Sequence, residues 1–123
     1  MKVQVEEKPF LANGRHTTTI TEVTEGKSEN KGVPFFNCRF ENEDGFVNHR
    51  FYLSEPGQPI MAELFQAVGI EEQEVDTQDM VGKKVSIEVH ERTYPDPQSQ
   101  QEKTIKEAQH FRPAGQSETS DAI

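Results

Sequence analysis

At 123 residues, 32% of them apolar and none a tryptophan, the chain suits one sheet-rich domain and excludes a large helical bundle or two comfortable domains. No run nears the roughly 20 apolar residues of a membrane span, Met1–Phe10 lacks the apolar stretch of a signal peptide, and a single cysteine, Cys38, cannot form an internal disulfide, so a cytoplasmic setting is expected. The net charge of −9 argues against a polyanionic partner, but seven acids lie between Glu55 and Asp79 with no Lys or Arg among them, and Glu118 and Asp121 add two; taking these nine from 22 leaves 13 acids against 13 bases elsewhere.

In chain order, Arg15–Gly26 is rich in threonine and β-branched residues and reads as a strand. "PFFNCRFE" is a second, closed by the turn Asn42–Gly45, and Phe46–Ser54 a third, which makes these two a hairpin. Then the period changes: Ile60, Met61, Leu64, Phe65 and Val68 form one helical stripe, with Pro59 in the first turn and Gly69 as the C-terminal cap. "EEQEVDTQD" is an acidic connector in which Asp76 caps a short turn. Val85, Ile87 and Val89 alternate in a fourth strand, "PDPQSQQ" is a loop, and "KTIKEAQHFRP" is a fifth strand. Residues 1–113 thus form one domain, and 114–123 are expected to be a disordered tail.

Three strands, a helix and two strands is the chain order of an OB-fold, a small all-β barrel with one helix. An α+β roll with the same order is the competing topology. In the second strand, alternation turns Phe36, Cys38 and Phe40 inward and Phe35, Asn37 and Arg39 outward; in the third, Val47, Phe51 and Leu53 face in and Asn48, Arg50 and Tyr52 face out.

The stretches "FLANGRHTTTITEV", "KSENKGVPFFNCRFE", "LFQAVGI", "EVDTQDMVGKKVSIEV" and "EAQHFRP" resemble a group of small bacteriophage and prophage OB-fold proteins, described as single-stranded-DNA-binding or replication and recombination accessory proteins. The likeness runs from about Phe10 to Phe111, and the acidic connector with its Gly-Lys-Lys strand is its most specific part. His16 stands where an aromatic is common. The resemblance implies non-enzymatic, sequence-tolerant binding of single-stranded DNA, with RNA left open. OB-folds bind strands across their second and third strands, between the first–second and fourth–fifth loops. Positive charge must follow the phosphates, and flat rings must receive the bases. Lys27, Lys31, Arg39 and Arg50 are the expected phosphate contacts; Phe35, Tyr52 and Tyr94 are the expected stacking rings.

Each residue also has a plainer reading. Phe10 or a second copy of the chain covers Phe35; Arg39 and Arg50 pair with Glu41 or Glu22; the lysines are solvated. A different class of function is a protein-interaction module that docks a partner on Glu71–Asp79 without nucleic acid. Catalysis has little support. The histidines (His16, His49, His90, His110) lie on four strands with no i, i+4 pair and read as polar-face or rim residues, Cys38 is isolated between phenylalanines, and no phosphate-binding glycine loop occurs. No metal or cofactor is expected.

Overall fold

The computed structural model describes residues 8–29, 31–72, 74–96 and 101–114, so the expected tail from residue 115 onward lies outside it. Five antiparallel strands, β1 (Gly14–Lys27), β2 (Pro34–Glu41), β3 (Phe46–Tyr52), β4 (Lys84–Pro95) and β5 (Glu102–Pro113), form one sheet in the order β3-β2-β1-β4-β5. The α-helix α1 (Gln58–Ala67) follows a 3-10 turn at Glu55–Gly57 and precedes another at Thr77–Met80. No helix among the described residues is long and apolar enough to cross a membrane.

Local chemistry explains the boundaries. Asn42 makes the β2–β3 turn, its Oδ1 accepting from the backbone N–H groups of Asp44 (2.8 Å) and Gly45 (3.2 Å). Gly69, at φ +79°, ends α1 in a left-handed cap, where its N–H donates to Gln66 O and that of Ile70 to Phe65 O. Asp76 caps the second 3-10 turn through Gln78 N at 3.0 Å. Pro95, read from sequence as loop, is the last residue of β4; proline tolerates a strand end because no further ladder bond is asked of its nitrogen.

The inward sets of β2 and β3 follow the alternation, with Phe36, Cys38, Phe40, Val47 and Phe51 buried. Two bulges break it elsewhere. Thr21 is an extra residue of β1 between the pairs Ile20↔Phe40 and Glu22↔Arg39, so Ile20 and Val23, three apart, both reach the core. A register shift between β4 and β5 surrounds His110, whose φ of +53° lets Ala108 and Phe111 both turn inward. Leu53, expected inside, is instead 51% exposed, because β3 stops at Tyr52 and the chain bends toward the helix. Met61, Leu64 and Ala67 of α1 and Val68 just beyond it complete the core, with Ile60 and Phe65 half-buried beside it.

The two outer strands of the sheet approach each other. Phe51 of β3 meets Phe111 of β5 at 5.6 Å between ring centroids, and Ala108 N–H donates to His49 Nδ1 at 3.3 Å. Residues 9–11 fill the gap: Leu11 N–H donates to Phe46 O and Phe46 N–H to Pro9 O, while Lys106 Nζ reaches Leu11 O at 2.7 Å. Glycine at 45 is required there, since the backbone of Pro9 occupies the place of a side chain. Among the described residues no backbone ladder joins β3 to β5, so the sheet is rolled but not closed.

Burial pushes the Cys38 thiol up to about 12. A thiol-specific disulfide reagent at pH 8 should therefore leave Cys38 unmodified in the native protein for hours and label it within minutes in urea. Rapid labelling without urea would show that β2 does not hold Cys38 inside.

Candidate functional site

The outer face of the β2–β3 hairpin carries the cross-strand pairs Phe35↔Tyr52, Asn37↔Arg50, Arg39↔Asn48 and Glu41↔Phe46. At one end Phe35 lies over Gly26 of β1; a methyl group on Gly26 would come within 2.7 Å of the ring. Glycine is thus what lets the ring lie down on the sheet. Tyr52 meets Phe35 edge-on at 5.7 Å, and the Arg50 guanidinium rests 4.1 Å above the Phe35 ring with Nη1 3.5 Å from the Tyr52 hydroxyl. Arg50 makes no ion pair with a carboxylate among the described residues.

The β1–β2 loop rises beside this cluster. Ser28 pins it: Ser28 Oγ accepts from Val33 N–H at 3.0 Å, Ser28 N–H donates to Val33 O, and Gly32, at φ +64°, closes the turn onto Ser28 O. Lys27 ends β1 where that loop begins, and Lys31 stands on the loop itself. With Glu29, Phe35, Arg50 and Tyr52 they line an open groove of about 610 Å³, where three cations face one acid.

Five of the seven residues singled out from sequence therefore come together: Lys27, Lys31, Phe35, Arg50 and Tyr52. Arg39 lies at the other end of the same face. Its Nε bonds Glu41 Oε1 at 2.9 Å, and its guanidinium covers the Phe46 ring at 3.9 Å. Hydrogen bonds from Lys8 and then from Arg39 pull the Glu41 carboxyl down to about 2. Phe10 packs on Phe46 at 5.0 Å, not on Phe35, so among the described residues the N-terminal segment covers this end of the face and leaves the other open. Tyr94 is remote. It pairs with Lys103 on a β4–β5 arm that runs past Gly14, the first residue of β1, whereas Phe35 pairs with Gly26 near the last. Arg92 lies 5.6 Å from the Tyr94 ring, and Lys103 is tied to Asp96 at 3.1 Å.

Sequence reasoning missed Gly26 and Ser28, which seat the ring and the loop. The only signal for Gly26 was its position opposite Phe35 when the hairpin is counted back from its turn. It also read His49, with the other histidines, as a polar-face or rim residue. The ring in fact sits against Phe51 (4.7 Å) and Phe111 (6.2 Å), and burial, opposed by the charge of Glu107 and aided by His90, pushes it down to about 4.

Among the described residues no group of three His, Cys, Asp or Glu side chains is placed to hold a metal ion. The open end of the hairpin face presents flat rings beside cations that form no ion pair among the described residues. No family model matches this chain, and neither does any curated protein.

Proposed function

We propose that this protein is a non-enzymatic OB-fold that binds single-stranded DNA on the open end of its β2–β3 face, as a phage-type replication or recombination accessory protein. The observation that carries the reading is the Phe35–Arg50–Tyr52 cluster beside Lys27 and Lys31, with Arg50 unclaimed by any described carboxylate. The strand order and the Phe51–Phe111 contact support the barrel, since rolling the sheet further would set β5 against β3 as an OB-fold requires.

Arg50 already occupies one face of the Phe35 ring, so a base stacks on the outer plane of the guanidinium or on Tyr52, which is 38% exposed. The backbone then runs along Lys27 and Lys31. Stacking needs only a π-face, so binding is sequence-tolerant. The acidic connector keeps it weaker than that of a strongly basic protein.

Fluorescence anisotropy with labelled oligo-dT of about 15 nucleotides, against a duplex of equal length, tests the reading. The single strand should bind at micromolar or tighter concentration at low salt, the duplex far more weakly. Three cations at about 0.7 charge each give a slope near −2 in log K against log salt. No binding at low salt would remove nucleic acid from the account.

A further inference from the structure

A second groove also has Phe35 in its wall. It has a volume of about 730 Å³, within the roughly 300–1,000 Å³ of ligand clefts, and is enclosed by Phe35 and Phe36 of β2, Met61, Ala62 and Phe65 of α1, and Val75 of the connector. Leu53, 51% exposed, stands in its wall. A well-formed apolar cleft with an exposed leucine in its wall is a place where side chains from elsewhere are received.

Acids outnumber bases in and next to its lining. Glu25 is part of the wall, Glu55 lies in sequence between the lining residues Leu53 and Gln58, and Glu74 and Asp76 flank Val75. None of the four makes an ion pair with Lys, Arg or His among the described residues. Asp76 spends one oxygen on Gln78 N–H, and Glu25 accepts from Thr77 Oγ1. Lys27, at the end shared with the other groove, is the one cation in the lining. Such a rim repels phosphate and attracts lysine and arginine.

We propose that this groove docks a short segment of a partner protein in which large apolar side chains are flanked by Lys or Arg. The apolar residues fill the cleft between α1 and β2, and the flanking cations meet Glu25, Glu55, Glu74 and Asp76. This docking differs from nucleic-acid binding: its groove has only Phe35 and Lys27 in common with the other, and it selects the opposite charge.

The probe is a random dodecapeptide library displayed on phage, selected on the wild-type protein and counter-selected on Ala62→Arg. Ala62 is an exposed helix residue in the groove wall, so the substitution fills the cleft and adds a like charge with little cost to folding, which thermal melting checks. The selected peptides should carry two or more large apolar residues bracketed by Lys or Arg. A synthetic version should bind at least tenfold more weakly to Ala62→Arg and weaken as salt rises. Ala62→Arg should bind oligo-dT no more weakly than wild type, so the two readings can fail separately. The proposal is overturned by no enrichment, by acidic or wholly polar winners, or by a winner indifferent to Ala62→Arg. It is equally overturned by a dimer that Ala62→Arg dissociates, which would make a second copy the occupant, or by oligo-dT that displaces the peptide and is itself weakened by Ala62→Arg.

Discussion

Replacing Phe35 and Arg50 together by alanine should lower affinity for oligo-dT by roughly 100-fold, while Arg39→Ala should change it by less than about threefold. A base stacked on a protein ring is worth about 1–3 kcal/mol, and each 1.4 kcal/mol is about tenfold in affinity. Phe35 and Arg50 touch at 4.1 Å, so their losses will not add: removing the ring also frees the guanidinium that it holds. Arg39 belongs to the same face and carries the same charge, yet Glu41 and Phe46 already engage it. The comparison therefore separates the open end of the face from its general positive charge. Anisotropy titrations of both variants, with melting temperatures to exclude unfolding, decide it. Equal losses for both variants would mean that charge alone drives binding.

The second large effect concerns stability. His49 is neutral in the folded protein down to about pH 4, against an ordinary 6.5 in the unfolded chain. Above pH 6.5 neither state binds the proton and the folded state has its full stability. As pH falls from 6.5 toward 4 the unfolded chain takes up a proton that the folded one refuses, so stability is lost across that window by about 3 kcal/mol in all. Glu41 acts lower. Its depressed carboxyl contributes stability that is present above about 4.5 and lost as pH falls toward 2, which leaves the His49 window separable. Urea unfolding at pH 7, 6 and 5 should show the decline in wild type. His49→Asn can keep an acceptor for Ala108 N–H but cannot titrate; it should be less stable at pH 7, through lost ring contacts, and nearly flat from pH 6.5 to 5. A wild-type profile flat over that range would mean that His49 is not enclosed between β3 and β5.

Much of this was legible locally. The inward Phe36, Cys38 and Phe40 and the outward Phe35 follow from period-2 alternation, because no bulge interrupts β2 or β3. His49 shares the parity of Val47 and Phe51, so its burial was present in the pattern and was passed over because histidine is a common rim residue. Arg39 and Glu41, two apart in one strand, were also visible as a pair. What was not legible depends on pairing between distant strands. The bulges at Thr21 and His110 exist only relative to partners on β2 and β4. The distance of Tyr94 from Phe35 is fixed by where β4 registers on β1, at Gly14↔Val89, and nothing near Tyr94 records that. The apolar groove needs α1, β2 and the connector to be placed together before it exists.

Tyr52 and Tyr94 are the only tyrosines and there is no tryptophan, so intrinsic fluorescence can report on each ring separately. In Tyr94→Phe all emission comes from Tyr52; in Tyr52→Phe, from Tyr94. On saturation with oligo-dT, emission from Tyr94→Phe should be strongly quenched as a base stacks at the Phe35–Arg50–Tyr52 cluster, and that from Tyr52→Phe should hardly change. Quenching confined to Tyr94 would place the strand on the β4–β5 arm and contradict the site.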